Sequence, residues 1–412
     1  MWVWLSVMNP HRLASGFAYN FPFALIIAIT TLLSTIIARD RRLFPVVPAT
    51  VCLILFIFWT NTSSLFAINF DQLYREWSTV MKILLMTLVA MSALQSRVHI
   101  RWLIWVLVIS IGFYGIKGGV FTLLGGGEYR VWGPEGSFIE ENNSLALATL
   151  MTIPLMRYLQ LTETNAWVRR GLMGVMLLCT ISALGSYSRG ALIAFAASSL
   201  FLWFKSPHKL ALGIAMIIAV PLLIQFMPAK WETRMNTIGT YQQDSSAMGR
   251  VNAWQMAWNL ALDRPLVGGG FEIYDKAVFD QYAPNPLDVH AAHSIYFQIL
   301  GEHGFPGLLL FLGMGYFTWR DGRWIITKTR DRPDLSWANM LAKMLHVSQV
   351  AYATGGAFLS LAYFDLPYYV LVAMVLTRAL VKNEVDGTLN PVSDRVHKFG
   401  LKNLPSLQQA KY

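Results

Sequence analysis

Residues 102–124 read WLIWVLVISIGFYGIKGGVFTLL, an apolar run longer than the ~20 residues that a bilayer-crossing helix needs. Runs of the same kind recur on both sides of it, at 21–38, 46–68, 80–94, 144–161, 171–187, 191–204, 210–227, 294–319, 337–363 and 366–380. Counting the first, that makes eleven expected crossings. Composition agrees: 55% of the 412 residues are hydrophobic and only 14% are charged, against roughly 25% charged in a soluble domain. The expected fold class is therefore all-α, a polytopic integral membrane protein with about eleven or twelve transmembrane helices. The 15 Trp and 16 Tyr suit helix ends at the headgroup level. Cys52 and Cys179 both sit inside apolar runs and read as core residues rather than a disulfide.

The net charge of +10 does not point to nucleic acid, because the basic residues are scattered among short loops and form no patch with interleaved aromatics. They instead alternate. Arg39, Arg41 and Arg42, then Arg97 and Arg101, then Arg157, Arg169 and Arg170, then Lys205 and Lys209, mark every second connection, followed by Arg320–Arg332 and the tail. The intervening connections carry Asp71, Glu76, Glu128, Glu135, Glu140 and Glu141. The positive-inside rule places the basic set in the cytoplasm. Four regions follow: 1–228, N-terminal transmembrane helices; 229–292, one large external loop with short helices; 293–381, C-terminal transmembrane helices; and 382–412, a cytoplasmic tail. Met1–Met8 is apolar but too short to span; it reads as the end of a helix that starts upstream, or as an interfacial piece. Connections longer than about 15 residues are usually functional. In the long loop, Trp254, Ala257, Trp258 and Ala261 recur at helical spacing, ahead of Pro265 and the run Gly268–Gly270.

Four local patterns carry chemistry. In the first, His293-Ser294 is followed by nine residues, Gly304, two residues and Gly307. On one continuous helix eleven residues make about three turns, so His293 and Gly304 would share a face above a groove of small residues. Alternatively, the glycines serve packing alone and His293 is interfacial. The second is Ser186-Tyr187-Ser188-Arg189-Gly190, which joins two apolar runs with almost no loop. An arginine there needs an anionic partner or a wet cavity, unless it snorkels as an external cap. The third, Met248-Gly249-Arg250, is read as opening the loop helix, where free N–H groups and a guanidinium make a phosphate site; a solvated loop arginine is the bland alternative. The fourth contains Glu140 and Glu141, which would cap the fifth helix, act as a base or hold a metal.

Taken together and in this order, these features resemble the bacterial O-antigen ligases and O-antigen polymerases. Ligases of that family carry a histidine followed by Asn, Ser or Gln, nine residues, Gly, two residues and a small residue, and HSIYFQILGEHGFPG at 293–307 fits. Arg189 matches the family's SRGA-like arginine, and Arg250 its loop arginine ahead of a tryptophan. GGGEYRVWGPEGSFIEENN at 125–143 and MPAKWETRMNTIGTY at 227–241 are similar to the O-glycosylation ligases that accompany exosortase systems, although that subgroup usually has an additional front helix.

The resemblance implies a GT-C-like membrane glycosyltransferase fold that uses no metal and no cofactor, in the bacterial inner membrane with its site facing the periplasm. It implies an undecaprenyl-pyrophosphate-linked glycan as donor and a sugar hydroxyl of lipid A-core, or another glycan, as acceptor. Arg189 and Arg250 would then grip the pyrophosphate. His293 would be the base, histidine's ordinary pKa of about 6.5 suiting that task. Tyr187, His290, Ser294, Gly304, Gly307, Glu140 and Glu141 are the supporting candidates. An O-antigen polymerase and a protein O-oligosaccharyltransferase would share the donor site and differ in acceptor. A transporter or flippase of an anionic solute is the reading from a different class, but no internal repeat of transporter type is visible.

Overall fold

The computed structural model describes residues 1–14, 16–37, 44–205, 209–210, 213–214, 217, 225–229, 231, 235 and 245–387. Most of the crossing expected at 210–227, the basic loop with Arg39, Arg41 and Arg42, and the tail beyond 387 lie outside the described residues. Among the described residues every regular element is helical. The N-terminal part contains α1 (Trp2–Met8), α2 (Phe17–Asn20), α3 (Phe23–Ile37), α4 (Pro48–Ser64), α5 (Tyr74–Ala93), α6 (Arg97–Leu124), α7 (Asn142–Thr162), α8 (Ala166–Gly185) and α9 (Arg189–Lys205). Two helices of the long connection follow, α10 (Ser245–Asp263) and α11 (Lys276–Tyr282), and then α12 (Ile295–Lys328), α13 (Ser336–Gly355) and α14 (Asp365–Val385).

Among the described residues, five helices, α5, α6, α7, α8 and α12, are long and apolar enough to cross a bilayer, and α3 and α4 are shorter apolar helices. The chain is thus an all-α polytopic membrane protein. α9, α13 and α14 occupy three further expected positions. They are shorter or more polar: α13 carries Lys343, His346 and Gln349, and α14 carries Asp365, Arg378 and Lys382. α14 forms the centre. Val370 to Leu376 are all buried, and the helix packs against α1, α4, α5, α6, α12 and α13. A helix that is apolar on every side belongs in such a position. α6 and α8 approach closely because Gly115, Gly118 and Gly119 face Cys179, Ser182 and the Leu178 backbone, and a Cβ at any of the three would clash there.

Two departures from the sequence reading shape the site. The tenth crossing, expected to run to Tyr363, ends at Gly355. A 3-10 turn over Gly356–Phe358 and an extended stretch replace its last part. The pair Gly355-Gly356 fits there because each abuts another side chain, Leu147 and Ile295 respectively. The second departure is in α12, which is two helices joined across a break at Gly304, with φ 67° and ψ −170°. The break is filled by the loop after α10. Gly269 and Gly270 donate their N–H groups to the carbonyls of Gly301 and Glu302 at 2.8 Å each, and Phe305 N–H reaches Pro265 O at 2.9 Å. An interrupted helix in an apolar surrounding is tolerated when its freed backbone groups are satisfied in this way.

Candidate active site

α10 does not begin at Arg250. It is helical from Ser245, so Arg250 lies in the second turn and does not stand at the helix start with its free N–H groups. The buried face of α10 is Ala253, Met256, Ala257, Leu260 and Ala261, packed with Ile273, Val278 and Phe279. Trp258, expected on that face, is 46% exposed and meets Phe305 edge-on. Asn252 ties α10 to the returning chain, accepting from Asn285 N–H (2.9 Å) and donating to the carbonyls of Asn285 (2.8 Å) and Asp288 (3.0 Å). One turn after Arg250, Trp254 donates its indole N–H to Ala292 O at 2.6 Å and stacks on Phe297.

His293 precedes α12 and has a left-handed backbone, φ 43°, with its N–H donating to Ser360 Oγ at 2.9 Å. Ser294 is the N-cap residue of α12 and makes no side-chain cap bond. The expected shared face of His293 and Gly304 therefore does not exist: His293 lies outside the helix, and the helix breaks at Gly304. A Cβ on Gly304 would run into the carbonyl oxygens of Pro265 and Leu266, and one on Gly307 into His303. Gly304 thus admits the inserted loop and does not line a groove below His293. Among the described residues the His293 imidazole has no hydrogen-bond partner. Burial first, then the Arg250 guanidinium and His290, hold its pKa down at about 4, so the ring is neutral at pH 7. His290 is exposed, pairs with Asp288 at 2.8 Å and lies over Gly249.

Arg189 is the first residue of α9, partly buried, after a turn in which Tyr187 has φ 60°. Tyr187 is buried and donates its hydroxyl to Gly127 O at 2.6 Å. The next residue after Arg189, Gly190, packs on Phe358, whose ring neighbours Trp254. Ser360 lies two residues beyond Phe358. The segment 356–360 is thus the common surface on which the α9 start, the turn of α10 after Arg250 and His293 meet. Glu140 and Glu141 do not cap α7 by their side chains. Glu141 holds the N-cap position without a side-chain bond, and Glu140 turns back to accept Gly136 N–H at 2.7 Å. Asn142, the next residue, donates to Ser186 O at 2.6 Å and so fixes the turn leading to Arg189. Among the described residues no group of three or more His, Cys, Asp or Glu is placed to hold a metal ion.

The sequence reading passed over a second polar group. His303, inside α12, bonds Ser63 Oγ at 2.7 Å through Nδ1 and Tyr363 OH at 2.8 Å through Nε2. Tyr363 also donates to Glu302, and Trp59 donates to His303 O at 2.9 Å. The signal was present as two adjacent ionisable residues, Glu302-His303, inside an expected crossing. An apolar cavity of about 290 Å³ runs between α12, α13 and α14, lined from Ile295 and Tyr296 down to Trp319.

Residues 174–312 match a family model described as O-antigen ligase, and residues 1–164 match a family of unknown function (DUF5935). No curated protein matches the chain. The first match spans α9, α10, the inserted loop and His293, so that the segment similar to the O-antigen ligase family is the one that holds Arg189, Arg250 and His293.

Proposed function

We propose that the protein is an O-antigen ligase that transfers a glycan from undecaprenyl pyrophosphate to a sugar hydroxyl of lipid A-core, at the periplasmic face of the inner membrane. The observation that carries this reading is the neutral, ring-unbonded His293 set beside Arg250, two residues from the rim of the apolar cavity. The apolar lining of the cavity suits the first part of a polyprenyl chain, with its pyrophosphate toward Arg250 and Arg189. The acceptor O–H gives its proton to His293 as its oxygen bonds the anomeric carbon. The bond from that carbon to the phosphate oxygen breaks, and its electron pair leaves on the pyrophosphate, where the arginines stabilise the charge. A single displacement inverts the anomeric centre. No metal is needed in this scheme, because the donor already carries its leaving group and the guanidiniums offset the new charge.

A deletion strain analysed on a lipopolysaccharide gel tests the reading. Loss of all long chains from lipid A-core, with lipid-linked polymer accumulating, is the expected result. Lipid A-core bearing a single repeat would make the protein a polymerase, and unchanged lipopolysaccharide with loss of a glycoprotein would make it a protein O-oligosaccharyltransferase.

A further inference from the structure

Two side chains from distant elements hold the two polar ends of one peptide group at the site, the amide that joins Ala292 to His293. Trp254, on α10, takes the carbonyl of Ala292 at 2.6 Å, and Ser360, after the 3-10 turn, takes the N–H of His293 at 2.9 Å. Directly after this doubly held peptide His293 keeps φ 43°, a left-handed value unfavourable for a residue with a Cβ. Such a conformation persists where its surroundings over-determine it. The surroundings here are rigid on both sides. Trp254 stacks on Phe297 with ring centroids 5.2 Å apart and planes at 9°, and Phe358 closes on it from the segment that carries Ser360. Downstream of Ser360, Leu361 O accepts from Tyr352 OH at 3.0 Å, and Tyr363 is bonded to His303 and Glu302. On the following side, Ser294 O accepts the first N–H of the α12 ladder, from Gln298 at 2.9 Å.

The backbone angle at His293 sets the direction of its Cα–Cβ bond, and hence where the imidazole lies relative to Arg250. We propose that Ser360 and Trp254 are positioning residues that clamp the single 292–293 peptide by its N–H and its carbonyl, fix the plane from which the His293 backbone turns, and so aim the His293 ring for proton transfer. This rests on the reading of His293 as the base. Neither residue touches the reacting atoms in this scheme. Their effect is on alignment, to which rate is steeply sensitive, a misplacement of about 1 Å costing on the order of 100-fold.

The test uses full-length protein in nanodiscs and, as probe, undecaprenyl-pyrophosphate-linked glycan extracted from the deletion strain. Ser360→Ala is expected to lower kcat by roughly 10- to 100-fold with donor KM unchanged, because the arginines are untouched. Ser360→Thr, which restores the hydroxyl, is expected to recover most of the rate. Trp254→Phe, which keeps an aromatic ring for the stack but loses the N–H, is expected to behave like Ser360→Ala. Ser360→Ala with kcat within twofold of wild type, while His293→Ala is inactive, overturns the clamp and leaves the base reading standing. A loss confined to KM, or one that Thr does not recover, overturns it as well. Wild-type transfer by His293→Ala overturns the base reading and the clamp together.

Discussion

Two histidines lie ten residues apart on the same stretch of chain, and the fold treats them in opposite ways. His303 is 0% exposed, and both ring nitrogens are bonded, one to Ser63 on α4 and the other to Tyr363. Its ring also lies edge-on to Phe271 of the inserted loop, centroids 4.8 Å apart. His293 is half-buried, its backbone is held in a costly conformation, and its ring is bonded to none of the described residues. A histidine whose nitrogens are both committed is a structural crosslink; one whose backbone is pinned and whose ring is open can exchange a proton with a ligand. The ionisable character of a residue in a membrane protein therefore does not by itself mark the reaction centre.

The sharpest way to break this contrast is to delete each ring. His293→Ala is expected to reduce transfer by roughly 10²–10⁴-fold while leaving the melting temperature of the solubilised protein unchanged. His303→Ala is expected to do the reverse in kind. It removes one hydrogen bond from each of the buried hydroxyls of Ser63 and Tyr363, which keep Thr60 O and Glu302 as partners, at about 0.5–1.5 kcal/mol for each bond lost, and lowers the melting temperature. Equal loss of stability in both variants, measured by thermal unfolding, would erase the distinction.

The break that separates the two histidines comes next. Gly304→Ala places a Cβ at φ 67° against the carbonyls of Pro265 and Leu266. The left-handed backbone alone costs about 1–2 kcal/mol, and the inserted loop must also shift. The expected outcome is faster proteolysis between 264 and 272, seen in limited digestion, with a lower melting temperature. Unchanged digestion would mean that the loop does not depend on the break.

A smaller effect is expected at the neighbour of His293. Arg250→Ala is expected to raise donor KM by about 10- to 100-fold, the range of a charge-assisted hydrogen bond, and Arg250→Lys is expected to restore only part, because lysine lacks the planar fork. A lysine variant with wild-type KM would argue for simple charge in place of bidentate contact.

The subtlest expectation concerns pH. In the free protein the His293 pKa is about 4, held there by burial and Arg250, so kcat/KM should be flat from pH 8 to 6 and fall through an acid limb near that value. A pyrophosphate on Arg250 favours the imidazolium, so it raises the pKa. The acid limb of kcat, which reports the complex, should therefore lie at higher pH than that of kcat/KM. Coincident limbs in the two profiles would show that the donor's charge is not felt at His293.

Much of this was legible in the sequence, and the reason is composition. Long apolar runs and few charges leave only a helical membrane fold, since each helix satisfies its own backbone in lipid. The motif around His293 and the arginines at 189 and 250 could be picked out because cations and a histidine stand out against apolar surroundings. What pattern could not supply was continuity. Spacing arguments assume an unbroken helix, and α12 is broken at Gly304 by a loop that arrives from thirty-odd residues upstream. The same assumption carried the tenth crossing past Gly355, where a turn forms instead and supplies Ser360. The sequence by itself determined the class of fold and the residue types available for chemistry. Only the tertiary structure decided that His293 is left with an open ring beside Arg250 while His303 is locked, because hydrogen-bond commitment depends on partners such as Ser63, Tyr363, Trp254 and Ser360 that no local pattern brings together.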